Sequence, residues 1–140
     1  MNEAEHLFLD FLNTIDMRLV NYEDGYGLID LQGANLGDIE QERFLTAEEM
    51  VDRLNVYIED SYIVDLEEEY TRYFDTPDDE APYHSAEDWC EMFKLAKYPA
   101  SMASVFIAEH LHQFKVLDMI VNHIDEVDLS RVEELSEPMA

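Results

Sequence analysis

The chain has 140 residues, of which 34 are Asp or Glu and 8 are Lys or Arg, giving a formal net charge of -26 at pH 7. Charge of this sign excludes direct binding to nucleic acid or an anionic membrane unless a metal or second protein bridges the two, since like charges repel over a screening length of about 8–10 Å. With 47% hydrophobic and 11% aromatic residues, the composition also excludes the aromatic-poor acidic chains that stay disordered, and the length suits one domain around one core.

Near the start, Phe8, Phe11, Leu12, Ile15 and Leu19 recur at three- and four-residue spacing, behind Asn2 as a helix cap and Glu3 and Glu5 in a first turn that favours negative charge. This predicts a helix over about residues 3 to 16. Met17 to Tyr22 and Tyr26 to Gln32 then flank Glu23-Asp24-Gly25, where an Asp-Gly pair between apolar runs signals a hairpin. Gly33, Asn35 and Gly37 break the chain, and Ile39 to Leu45 can supply a third strand.

Thr46-Ala47-Glu48-Glu49 has capping-box spacing, with the Thr46 hydroxyl accepting from the Glu49 amide and the Glu49 carboxylate accepting from the Thr46 amide. The helix it opens puts Met50, Val51, Leu54, Tyr57 and Ile58 on one face; beyond Asp60-Ser61 the pattern resumes with Tyr62, Leu66, Tyr70 and Tyr73, so that either this helix continues with a kink or a second short one begins, and we read two helices. Residues 75–84 carry Pro77 and Pro82 without apolar periodicity and form an acidic loop. Ser85 opens a further helix that turns Trp89, Met92, Phe93 and Ala96 inward. From Pro99, the set Met102, Val105, Phe106, Leu111, Phe114, Leu117, Ile120, Val121 and Ile124 runs on at helical spacing as one long helix or two, and a short helix follows Leu129. The expected fold is α+β, mainly helical, with a two- or three-stranded antiparallel sheet near residues 17–45. It forms a single domain over 1–140: helix, hairpin and helices in 1–74, the loop in 75–84 and a helical part in 85–135.

Candidate chemistry is sparse. Cys90 is the sole cysteine and sits in the apolar run Trp89 to Phe93, which predicts a buried thiol in a reducing compartment. The basic region of a signal peptide and an uninterrupted apolar span of ~18 residues are both lacking, so the expected location is the cytoplasm. No serine lies in a Gly-x-Ser-x-Gly turn. Gly33 and Gly37 lack the Lys of a phosphate loop and predict a turn. Glu3-x-x-His6 and Glu109-x-x-His112 match the half-site of di-iron bundles, yet carboxylates this abundant produce such matches by chance. His110 and His112 stand two apart and face different ways on a helix. Tyr57, Tyr62, Tyr70, Tyr73, Tyr83 and Tyr98 read as core residues or as amphipathic interface anchors. No catalytic residue, metal site or cofactor is assigned, and the chain is expected not to be an enzyme.

What remains is the spread of carboxylates over nearly every element. Held by secondary structure, they suit an acidic binding protein that mimics nucleic acid and occupies a basic protein surface, such as the groove of a DNA-binding enzyme. The candidate contacts are Glu48, Asp52, Glu59, Asp65, Glu67, Glu68 and Glu69 on the acidic helices, with Asp78, Asp79 and Glu80 in the loop. One alternative is a structural or regulatory interaction module, marked by an exposed apolar or Tyr-lined patch. Another is a metal-binding helical protein, which requires Glu3, His6, Glu109 and His112 to converge. A solvated acidic surface without function and an adaptation to high salt are the blandest readings, and the sequence fixes no oligomeric state.

The run Tyr22-Glu23-Asp24-Gly25-Tyr26-Gly27-Leu28-Ile29-Asp30-Leu31-Gln32-Gly33-Ala34-Asn35-Leu36-Gly37, continuing to Arg53-Leu54, resembles stretches in small acidic proteins of bacterial conjugative transposons and in accessory segments of their large multidomain proteins. The likeness covers about a third of the chain and carries no catalytic motif, so it implies no site residue. Such elements also encode antirestriction proteins, acidic DNA mimics to which this chain is similar in charge and size. The resemblance implies a role in defending a mobile element.

Overall fold

The structure, a computed structural model, describes residues 2–30, 42–75, 85–96 and 102–136. It is a mainly helical α+β fold: 74% of the described residues are helical, and the sheet is a two-stranded antiparallel hairpin. The described residues gather into two compact units, one from Met1–Asn55 with Asn122–Ala140 and one from Val56–Val121.

In the first unit, α1 (Glu3–Thr14) begins at a reciprocal cap. The Asn2 side chain accepts from the Glu5 amide at 2.8 Å, and the Glu5 carboxylate accepts from the Asn2 amide at 2.9 Å. The helix stops short of the expected residue 16 because Asp16 takes a left-handed conformation, φ 58°, that turns the chain into the sheet. Strand β1 (Met17–Tyr22) pairs with β2 (Gly25–Asp30) from Met17↔Asp30 to Tyr22↔Gly25, so the loop is Glu23-Asp24 and Gly25 opens the return strand. Gly25 holds φ 144°, and an added Cβ would stand 3.2 Å from the Phe44 carbonyl oxygen, so both conformation and space require glycine there. Beyond the hairpin, Phe44 makes a single bridge to Tyr26, with hydrogen bonds of 2.9 and 2.8 Å; residues 39–41 of the expected third strand lie outside the described residues. Met17, Leu19 and Leu28 alternate inward onto Phe8, Phe11 and Leu12 side chains, all buried. The strand β1 and α1 both pack against α7 (Leu129–Ser136), whose Leu129 and Val132 complete this core.

The two helices expected on either side of Asp60-Ser61 are joined without a break. A π turn, Glu59–Ile63, carries α2 (Ala47–Ile58) straight into α3 (Val64–Phe74), with helical backbone at Ile58 and Val64 and a bond from the Val64 amide back to the Glu59 carbonyl. Asp60 and Ser61 are weak helix formers, not breakers. The extra residue in the turn lets consecutive Tyr62 and Ile63 both face inward, after which Leu66 continues the buried side. At the start of α2 the Thr46 hydroxyl accepts from the Glu49 amide at 3.2 Å, as expected. The Glu49 carboxylate, however, accepts from that hydroxyl at 3.3 Å and not from the Thr46 amide.

In the second unit, α4 (Ala86–Leu95) starts at Ser85, whose hydroxyl accepts from the Asp88 amide at 3.1 Å. The long apolar tract resolves into α5 (Met102–Glu109) and α6 (Leu111–Asn122), jointed at His110, whose amide is shared between the Phe106 and Ile107 carbonyls at 3.2 and 3.1 Å. A 3-10 turn, Ile124–Glu126, leads on into α7.

Phe106 is the hub of this core, completely buried, with the rings of Tyr70, Tyr73, Phe74, Trp89, His110 and Phe114 all within 6.4 Å of its centroid. Several of these pairs are edge-to-face, the arrangement that ring quadrupoles favour. Met102, Val105 and Leu111, which share the helical spacing of the apolar tract, lie outside this core and expose 59%, 44% and 41% of their surface. Truncation of Phe106 to Ala removes a buried ring contacted from α3, α4 and α6. The expected loss is about 3–5 kcal/mol of unfolding free energy, read from urea denaturation as a lower midpoint.

Candidate functional site: an acidic helical face

Each unit is acidic by itself: residues 56–121 hold 15 Asp and Glu against 4 Lys and Arg, and the remainder holds 19 against 4. In the second unit the densest presentation is the π turn with α3. Glu59, Asp60, Asp65 and Glu68 are exposed there and, among the described residues, have no ion-pair partner. Glu69 is half-buried and engaged by Arg72 at 3.1 Å, with His110 Nε2 3.9 Å away. Glu67 is half-buried and also engaged within the chain. The structure therefore brings Glu59, Asp65, Glu67, Glu68 and Glu69 onto one helical segment but leaves Glu59, Asp65 and Glu68 as its outward charges. Asp60 joins them, two residues past inward Ile58 and so on the opposite side of the helix, while the π turn shifts the buried side so that Leu66 faces in and Asp65, seven residues past Ile58, faces out. In the first unit, Glu48 and Asp52 stand exposed on the first turns of α2. Asp78, Asp79 and Glu80 lie outside the described residues.

Several arginines among the described residues are committed to pairs within the chain. Arg43 pairs with Asp24 at 3.1 Å while its guanidinium lies 3.6 Å over the Tyr22 ring, Arg53 meets Glu42 at 2.6 Å, and Arg72 meets Glu69. Such half-exposed pairs add little stability. The outward carboxylates Glu59, Asp60, Asp65 and Glu68 take no part in an ion pair among the described residues.

One carboxylate is turned inward. Glu5 is 0% exposed, and Arg131 Nε donates to its Oε2 at 2.8 Å, as does the Asp128 amide at 2.9 Å, while Oε1 takes the Asn2 amide. Burial pushes the Glu5 pKa up, but the two backbone amides and the Arg131 guanidinium outweigh it and hold the carboxyl below its usual value. Asp128 caps α7: its Oδ1 accepts from the Ser130 hydroxyl at 2.7 Å and amide at 3.0 Å, and these bonds hold its pKa low as well. An open cleft of about 480 Å³ lies beside this cluster, lined by residues that include Leu45, Glu48, Val127, Asp128 and Arg131. With Arg131 held by Glu5 and Asp128, the cleft offers no uncommitted guanidinium, and the cluster is a clamp between α1 and α7. Asn2-x-x-Glu5 has the same cap spacing as Thr46-x-x-Glu49, and that signal could have picked out Glu5.

The remaining reactive side chains do not assemble. Glu3 and His6 lie on α1 in one unit, Glu109 and His112 on either side of the His110 joint in the other. No group of three or more His, Cys, Asp or Glu among the described residues could hold a metal ion. His110 donates through Nδ1 to the Phe106 carbonyl at 3.0 Å, within the aromatic core. Cys90 is buried, and burial first, then the charges of Asp118, Glu87 and Glu91, push its thiol up to about 12 against a smaller opposing effect of Lys94. A thiol so raised is not a nucleophile at neutral pH. Tyr62 is core, Tyr57, Tyr70 and Tyr73 are half-buried, and Tyr83 and Tyr98 lie outside the described residues. No helix among the described residues is long and apolar enough to cross a membrane. Neither a protein-family model, nor a curated protein, nor a solved structure matches this chain.

Two outcomes follow from these pKa directions. Glu5 and Asp128 bind protons more weakly folded than unfolded, so the stability they contribute is complete above the ordinary carboxylate range of about 3.9–4.3 and is lost as pH falls through and below it. Arg131→Ala, measured by urea denaturation across pH, should cost about 1–3 kcal/mol at neutral pH and move the acid limb upward. Cys90 should resist iodoacetamide at pH 8 in the folded protein and react once about 6 M guanidinium unfolds it.

Proposed function

We propose that this chain is a non-enzymatic acidic binding protein whose helical carboxylate face occupies a basic, DNA-binding surface of a partner protein. The observation that supports this reading is the outward set Glu59, Asp60, Asp65 and Glu68, fixed on a continuous helical segment and without an ion-pair partner among the described residues. Four charges over about 14 Å of helix axis stand about 4.5 Å apart on average along the axis, somewhat wider than the ~3.4 Å phosphate spacing of one B-DNA strand. Because packing of Tyr62, Ile63 and Leu66 already holds this backbone, docking costs little ordering entropy. The resemblance of Tyr22 to Gly37 to acidic proteins of conjugative transposons adds a context: inhibition or sequestration of a nucleic-acid enzyme on behalf of a mobile element.

The test is affinity capture from a bacterial lysate at low salt with elution along a salt gradient. Nucleic-acid enzymes should be retained and should elute as salt rises, since log affinity falls with log salt in proportion to the ion contacts made. The E59Q/D60N/D65N/E68Q variant should release them at clearly lower salt. Equal retention by the neutralised variant would remove this face from the interaction, and capture of no such enzyme would remove the mimicry.

A further inference from the structure

In the part of the second unit that runs from α2 into α3, the buried side chains are Ile58, Tyr62, Ile63 and Leu66, and Tyr70 is half-buried against Trp89 and Phe106. Counted from Ile58, the later four stand at i+4, i+5, i+8 and i+12. At about 100° per residue, an unbroken α-helix would carry Ile63 roughly 140° and Tyr70 roughly 120° away from Ile58, off the buried side. With one residue fewer between Ile58 and Tyr62, the same four would fall at i+3, i+4, i+7 and i+11, all within about 60° of Ile58. The π turn Glu59–Ile63 is where that surplus residue is absorbed, with the Val64 amide bonded to the Glu59 carbonyl, five residues back.

We infer that this π turn is a yielding point built into the helix: a one-residue surplus at which the backbone opens locally while its flanks stay closed. Glu59, Asp60 and Ser61 make up the first part of the turn, and none of the three is buried, so packing does not hold that part shut. Asp and Ser are also weak helix formers. The flanks are secured differently, by Ile58 before the turn and Leu66 after it, both in the core. Local opening is drawn to segments with few buried apolar contacts. Glu59 and Asp60 lie in the turn and Asp65 and Glu68 beyond it, so opening there changes the spacing between the two pairs of outward carboxylates. The inference concerns the backbone and stands independently of the acidic-binding reading.

Residue-resolved amide hydrogen exchange on the full chain tests it. In the wild type, the amides of Tyr62, Ile63 and Val64 should exchange about tenfold faster than those of Tyr57 and Ile58 before the turn and Glu69 and Tyr70 after it. Deletion of Ser61 should bring them within about twofold of those flanks. It should also raise the urea midpoint, because it leaves a regular α-helix with the same buried side. S61A improves local helix propensity without changing the residue count, and should keep the fast exchange. Equal protection through the turn and its flanks in the wild type overturns the inference, as does S61A slowing exchange as much as the deletion. A deletion variant that does not fold, or that unfolds at lower urea than the wild type, also overturns it, since Ser61 would then not be surplus.

Discussion

Unbalanced like charge is the constraint around which this molecule is organised. With 34 carboxylates and few cations, compaction brings negative groups together at a cost that ion pairing cannot cancel. The apolar interior must offset it. That explains why aromatic residues concentrate so heavily around Phe106, and why Met17, Leu19 and Leu28 of a short hairpin are all spent on the core beneath α1 and α7. Among the described residues Glu5 is the one charged group that is buried, and it is matched by three donors. A carboxylate with fewer partners there would add an unsatisfied buried charge to a chain already strained by repulsion.

Much of the scaffold was legible because its signals are local. Capping residues at Asn2, Thr46 and Ser85, the Asp-Gly signal, and three- and four-residue apolar spacing each depend on a few neighbouring residues, and all correspond to observed elements. The failures share a physical cause. Apolar periodicity marks Tyr62 and Leu66 as inward but cannot distinguish a new helix from a π turn, since both shift the buried side relative to Ile58. It likewise does not separate exposed Met102, Val105 and Leu111 from buried Phe106 and Phe114, because an all-apolar helix carries no sign of which side meets its neighbours.

The candidate face was legible only in part. The sequence identifies Glu59, Asp65 and Glu68 as acidic, but whether a carboxylate stays outward depends on the backbone register and on its neighbours in space. Glu69 is paired with Arg72 and lies beside His110, 41 positions later, and the π turn places Asp65 outward where an unbroken α-helix would turn it in. The buried role of Glu5 rests on Arg131, at a separation of 126 residues that no window of spacing spans. Electrostatic sites are tertiary products, so charge patterning supplied the class of surface and not its membership.

The great sequence distance between Glu5 and Arg131 also orders events during biosynthesis. A ribosome adds residues from the N-terminus, so helix α1 and the hairpin emerge long before the guanidinium and the Asp128 amide that Glu5 requires. The segment Val56–Val121, continuous in sequence, has its aromatic partners available from Tyr70 to Phe114 once that stretch has left the exit tunnel. The nascent chain can thus consolidate its middle first and close the older, N-terminal part afterwards, when α7 arrives.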